Sequence, residues 1–187
     1  MRFVVIYDAC VLYPAPRRDF LVRLATVRLF AAKWSETIHD EWMRNVLAAR
    51  PELTNALQRT RELMDQAVPD CLVEGYEPLI DSLNLPDPND RHVLAAAISA
   101  GAQTIVTHNL TDFPDHCLNT YGIEASDPDT FVVQQMDLHE AAVVAVARDH
   151  RAALKNPPKS VDEYLETLAA QGLLATTDLL RNYAEFI

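Results

Sequence analysis

Apolar and polar positions divide the chain into short β-rich runs separated by stretches with helical spacing. Phe3–Tyr7 is an unbroken apolar run stopped by Asp8, the pattern of a strand buried on both faces. Asp19 precedes Phe20, Leu21, Leu24, Val27, Leu29 and Phe30, which predicts a capped helix. Lys33–Ser35 reads as a short strand or turn. Thr37 opens an amphipathic helix through Ile38, Trp42, Val46 and Leu47, broken near Pro51. Residues 52–67 place Leu53, Leu57 and Leu63 on one helical face, and Cys71–Val73 reads as a short strand. Pro86 and Pro88 stiffen LPDPND into a loop. Asp90 then leads the helical run RHVLAAAISA, which Gly101 closes from its C′ position. Thr104–Thr107 predicts a second buried strand, followed by a polar loop with Asn109, Asp112 and Pro114; Ile123 belongs to a third short strand.

Strands alternating with helices predict an α/β domain with a mostly parallel central sheet, in three α/β/α layers. After residue 127 the pattern becomes all-helical. Asp127–Thr130 is a helix start, and a helix runs from about Leu138 to Leu154 with Ala142, Val143, Val146 and Ala147 on its apolar side. KNPPK is a linker, Ser160 with Glu163 spells a capping box for a helix ending near Gly172, and Thr177 or Asp178 caps the last helix. The expected division is an α/β domain over 1–126 and a helical extension over 127–187.

Composition removes several alternatives. Only 4 glycines argue against an all-β fold and against a glycine-rich phosphate loop. The 3 cysteines, Cys10, Cys71 and Cys117, are odd in number, with no CxxC pair, so neither a disulfide framework nor a zinc knuckle is expected. The apolar N-terminal run is too short for a signal-peptide core, and nothing approaches the roughly 20 apolar residues of a membrane span. A cytoplasmic protein with reduced thiols and no membrane partner is expected. The net charge of −11 argues against unspecific nucleic-acid binding. That charge is uneven, however: residues 1–33 carry +4 and residues 34–187 carry −15.

The acids fall where chemistry is expected. Parallel sheets bind ligands outside the carboxyl ends of their strands, and Asp8 and Asn109 follow two predicted strands. Glu41 lies on the helix after Thr37, Asp87 and Asp90 flank the start of the Ala-rich helix, and Asp112 follows Asn109. Any one of these has a bland explanation; Asp90 alone would make a good helix cap. Several carboxylates from different elements, converging at one sheet edge, would suit a hard divalent cation. Without a cation they would repel one another and raise each other's pKa.

Four stretches carry a resemblance to the PIN-domain nucleases, and among them to the VapC-type toxins of bacterial toxin–antitoxin pairs. IYDACVLYPAPRRD looks like the first strand with its aspartate, SETIHDEW like the second motif with Glu41, LPDPNDRHVLAAAISAGAQTIVT like the third with Asp90, and VTHNLTDFP like the fourth. The resemblance implies endoribonuclease cleavage of RNA with Mg²⁺ or Mn²⁺. It implies catalytic roles for Asp8, Glu41, Asp90 and Asp112, with Asp8, Asp90 and Asp112 as metal ligands. The fourth motif departs from the pattern: Asn109 stands where many PIN domains have an aspartate, and Asp112 is the carboxylate expected to replace it. Thr107 is expected to orient that loop and Asp87 to support the site from behind the ligands. The resemblance further implies a cognate antitoxin and a homodimer.

The basic stretch PAPRRDFLVRLATVR suggests that Arg17, Arg18 and Arg23 hold an RNA backbone, with Arg91 as a further phosphate contact; a solvated helix face is the plain alternative. His92 and His108 flank the candidate site; a histidine pair could cleave RNA without metal by general acid–base chemistry, but structural or substrate contacts are the expected roles, and His92, two residues after Asp90, is expected on a different helical face. Cys10 is expected to be a small buried residue, and Trp34 and Trp42 to be core. Two other functions compete. A non-catalytic PIN-like module binding RNA or protein is motivated by Asn109. A phosphohydrolase of the haloacid dehalogenase type would need a second aspartate where Cys10 stands.

Overall fold

The computed structural model describes residues 3–187; Arg2, part of the basic N-terminal stretch, lies outside the described residues. Among these residues, four parallel strands form one sheet in the order β2-β1-β3-β4. They are β1 (Val4–Tyr7), β2 (Ala31–Lys33), β3 (Thr104–Val106) and β4 (Glu124–Ser126). Val5 pairs with Ala32 on one side and Thr104 on the other, and Ile105 pairs with Ala125. The two inner strands are apolar but for Thr104 because they are covered on both faces: Val5, Ile6, Tyr7, Ile105 and Val106 are fully buried. From β1 the chain goes first to one side and then returns to β3 on the other. That reversal opens a crevice at the carboxyl ends of β1 and β3.

In chain order the helices are α1 (Ala9–Leu12), α2 (Ala15–Thr26), α3 (Glu36–Ala49), α4 (Thr54–Ala67), α5 (Glu77–Ile80), α6 (Arg91–Ala100), α7 (Asp115–Leu118), α8 (Pro128–Ala153), α9 (Val161–Ala170) and α10 (Leu174–Arg181). Most boundaries moved by a few residues, for local reasons. Helix α2 starts ahead of Asp19, because Pro16 in its first turn has φ preset and loses no hydrogen bond there. Ser35 rather than Thr37 precedes α3, its hydroxyl accepting the Ile38 N–H at 3.2 Å. The expected strand at Cys71–Val73 reduces to one bridge between Trp34 and Leu72. The strand or turn foreseen at Lys33–Ser35 shares only Lys33 with β2, and β4 starts one residue after Ile123, where a third strand was foreseen. Gly101 ends α6 in the left-handed region at φ 63°, as its place after the apolar run suggested.

Contacts divide the chain into two compact units: Met1–Tyr13 with Phe30–Asp127, and Pro14–Leu29 with Pro128–Ile187. By contacts, residues 14–29 group with the C-terminal helices, a grouping distinct from the division at residue 126 expected from the sequence. The reason is that α2 is buried on most of its circumference, through Phe20, Leu21, Val22, Leu24 and Ala25 and also Arg17 and Arg18, and packs on α8 and α9. Within this second unit the helix starting at Pro128 runs on through the expected Leu138 start, with one non-helical residue, His139. The Ser160–Glu163 capping box is present. The last helix starts before Thr177 and Asp178, which lie inside α10. Its cap comes from α8: the Ala175 and Thr176 N–H groups donate to the Asp129 carboxylate at 2.7 and 2.8 Å. A cap drawn from so far along the chain leaves no local signature. No helix among the described residues is long and apolar enough to cross a membrane.

Candidate metal centre at the carboxyl edge of the sheet

Asp8 ends β1 and caps α1, and is only 2% exposed. One carboxylate oxygen accepts the Ala9 N–H at 2.6 Å; the other accepts the Thr107 hydroxyl at 2.7 Å and the Cys10 thiol at 3.1 Å. Burial raises the Asp8 pKa most strongly; the bonds from Thr107 and Cys10 oppose it, and the charge of Glu41 adds to the rise. Thr107, fully buried just past β3, also accepts the Asn109 N–H at 3.0 Å, so one hydroxyl ties the aspartate of the first motif to the loop of the fourth. Cys10 is more than filler. Burial and the neighbouring Asp8 push its thiol to about 12, so it serves as a hydrogen-bond donor and not as a nucleophile.

Asp90 closes a short 3₁₀ turn, Pro88–Asp90, and makes no side-chain capping bond to α6. The capping oxygen belongs to Asp87, which accepts the Asn89 N–H at 2.8 Å. The bland explanation of Asp90 therefore fails. Its carboxyl is pushed up to about 7, first by burial and then by the charges of Asp8, Asp87, Asp112 and Glu41. Those four are the acids singled out in the sequence, and all act on one carboxyl group. Asp112 sits in the Leu110–Asp112 turn, its N–H donating to the Asn109 carbonyl at 2.9 Å.

Glu41, Asp87, Asp90, His92 and Asn109 line a cleft of about 610 Å³, which Thr37, Asp40 and Arg44 extend along one face of α3. The opposite face of α3 buries Ile38, His39 and Trp42. Among the described residues, no three His, Cys, Asp or Glu side chains stand close enough to enclose one ion. The donors still fit a hard cation: all are oxygens, and Mg²⁺ takes one or two carboxylates directly while keeping several waters.

Arg44, which sequence reasoning passed over, and His92, which it placed beside the site without a partner, belong here. Arg44 lies one turn after Glu41 and is exposed at the cleft. The spacing Thr37, Asp40, Glu41, Arg44 would have revealed the shared face. His92 turns its Nε2 to Glu41 Oε2 at 3.2 Å. The expectation that His92 faces away from Asp90 treated both as helical, whereas Asp90 belongs to the 3₁₀ turn. His108 is exposed, and its N–H donates to the Cys10 sulfur at 3.3 Å.

The arginines expected to meet RNA are mostly engaged elsewhere. Arg17 and Arg18 are 5% and 7% exposed, within the second unit. The Arg17 guanidinium donates to the Gln171 carbonyl at 2.6 Å, burial lowers the Arg18 pKa to about 10, and Arg23 pairs with Asp19 at 3.1 Å. Composition marked this face as basic, but packing uses it internally. Arg91 is half-buried at the start of α6, its Nε buried without a hydrogen-bond partner among the described residues. Trp34 and Trp42 are fully buried core, as expected.

A parallel four-stranded sheet with carboxylates gathered outside its central strands places the candidate site where open α/β sheets bind their ligands. The chain belongs to the PIN domain family, whose model matches residues 4–111. Residues 128–182 match a second model, described as the VapC50 C-terminal domain. The chain is similar to "Putative ribonuclease VapC50" of Mycobacterium tuberculosis, 43% identical over 97 residues. That alignment covers 52% of this chain and 57% of the relative. No solved structure matches.

Proposed function

We propose that this protein is a metal-dependent endoribonuclease, and that it acts as the toxin of a type II toxin–antitoxin pair. The observation that carries the reading is Asp90, a carboxyl raised to about 7 by burial and four surrounding acids, in a cleft at the strand ends. Such a cluster is poised to exchange a proton for a divalent cation. Asp8, Asp90 and Asp112 would hold Mg²⁺ or Mn²⁺, one or two of them directly and the rest through its retained waters, Asp112 standing in for the aspartate that Asn109 replaces. When bound, that cation supplies an acidified water and offsets charge on the phosphate. Thr107 and Cys10 orient the Asp8 carboxylate, Asp87 shapes the turn that presents Asp90, and Glu41 faces the cleft to handle protons at the reacting phosphodiester.

A phosphate approaching so many acids needs a cation from the protein as well. Arg44 fills that role in this reading, with Arg91 as a second contact. Replacing Arg44 with Ala is expected to weaken RNA binding several-fold across sequences and to lower the slope of log affinity against log salt by about 0.7–0.9. Fluorescence anisotropy over a salt series checks this, and an unchanged slope removes Arg44 from the interface. The antitoxin, a homodimer and a cytoplasmic location complete the proposal, supported by the sequence resemblance.

The direct test is cleavage of a mixed RNA pool in Mg²⁺, Mn²⁺ and EDTA. Turnover in either metal and none in EDTA is expected; equal cleavage in EDTA overturns the mechanism. Asn109 favours the competing reading, a PIN-like module that binds without cutting. Under that reading, calorimetry shows RNA or partner binding with no metal-dependent turnover.

A further inference from the structure

His92 has no task in the scheme above, although it lines the same cleft as Glu41 and Asp90. It is 9% exposed, and Nε2 stands 3.2 Å from Glu41 Oε2. Its Nδ1 is buried and has no hydrogen-bond partner among the described residues. A neutral imidazole has one N–H and one lone pair. Beside a carboxylate, which only accepts, the hydrogen belongs on Nε2 and the lone pair on Nδ1. A histidine kept for packing alone is expected to satisfy both nitrogens, and His39 in the same unit does so. There Nδ1 accepts the Trp42 indole N–H at 3.0 Å, and Nε2 meets Asp65 at 2.9 Å. His92 leaves one nitrogen unserved, and its protein bond goes to an acid of the cleft.

We propose that His92 is a positioning residue that fixes the Glu41 carboxylate for RNA cleavage. This rests on the nuclease reading of the same cleft. The free Glu41 side chain has several rotamers, and fixing one of them costs conformational entropy. The Nε2–H bond holds Oε2 and leaves Oε1 for the cleft before RNA arrives. Groups that orient a reacting carboxylate from behind are worth roughly 10–100-fold in activity.

The test compares His92→Leu, which keeps bulk and loses the donor, with His92→Gln, whose amide N–H reaches toward the Nε2 position. On a short RNA in saturating Mn²⁺, His92→Leu is expected to lower kcat about 10-fold or more with KM within about twofold, and His92→Gln to restore most of it. Adding Glu41→Gln settles whether the effect runs through Glu41. In that background His92→Leu is expected to cost nothing further, because coupled residues are not additive. In the metal-free protein, ¹⁵N NMR of the imidazole is expected to show the Nε2–H tautomer, with the Nε2 signal moving in Glu41→Gln. An Nδ1–H tautomer, a full additional loss in the double variant, or equal rates in both His92 variants would overturn the proposal. If the wild type cuts no RNA in any metal, the nuclease reading fails, while the NMR result still decides whether His92 holds Glu41.

Discussion

Asp8→Asn is expected to abolish RNA cleavage, by more than about 100-fold, while the fold survives. Even groups behind a metal ligand cost roughly 10–100-fold when removed, so a ligand itself should exceed that. The substitution keeps the shape but removes a buried charge. It also turns one oxygen that accepts Thr107 and Cys10, or the one that accepts Ala9 N–H, into a donor. The local bonds suffer, but relief of the charge pressing on Asp90 and Glu41 offsets the loss. Single-turnover cleavage in Mn²⁺, with circular dichroism and Tm as controls, makes the measurement. A variant cutting within about threefold of wild type would sink the assignment of Asp8.

Asp90→Asn is expected to stabilise the metal-free protein at neutral pH and to abolish its response to metal. The sign follows from linkage. The folded pKa of Asp90 is about 7, against an ordinary 3.8, so the fold binds this proton more tightly than the unfolded chain does. The contribution of this group to stability is full below about pH 4 and is lost as pH rises through about 7. At pH 7.5 its ionised form works against folding, and Asn removes that penalty. A rise in Tm of at least about 2 °C in EDTA is expected, the effect of ~1 kcal/mol in a chain of this size. At pH 4, where Asp90 is protonated in the fold, the gain disappears. Mg²⁺ or Mn²⁺ is expected to raise the wild-type Tm and to leave Asp90→Asn nearly unmoved, since a ligand stabilises only a state that binds it. Parallel Tm curves for the two proteins from pH 4 to 8, with and without metal, would show that the Asp90 carboxyl is not strained by its neighbours.

The parts of the site that could be read in advance were those set by local order. Asp8 was visible because an apolar run buried on both faces must stop somewhere, and it stops at an acid. Asp90 was visible as the acid before an Ala-rich helix, although its side chain makes no capping bond there and Asp87 caps only the 3₁₀ turn ahead of it. The basic face of α2 was misread for the opposite reason. Arg17 and Arg18 are polar by type, and only packing revealed that their long side chains are buried. The contact of His92 with Glu41 was not legible because a face argument assumes one helix, and the chain changes from 3₁₀ turn to α-helix between Asp90 and Arg91.

By itself the sequence determined the two inner strands, most of the helices, the parallel α/β class and the set of acids, because hydrophobic period and turn chemistry act over a few residues. Only the tertiary structure decided that α2 belongs with the C-terminal helices, that Asp129 caps α10, that Thr107 binds Asp8 and that four acids bear on Asp90. The physical reason is separation along the chain. Asp8 and Thr107 lie 99 residues apart, and their bond exists only because β1 and β3 pair side by side and end together.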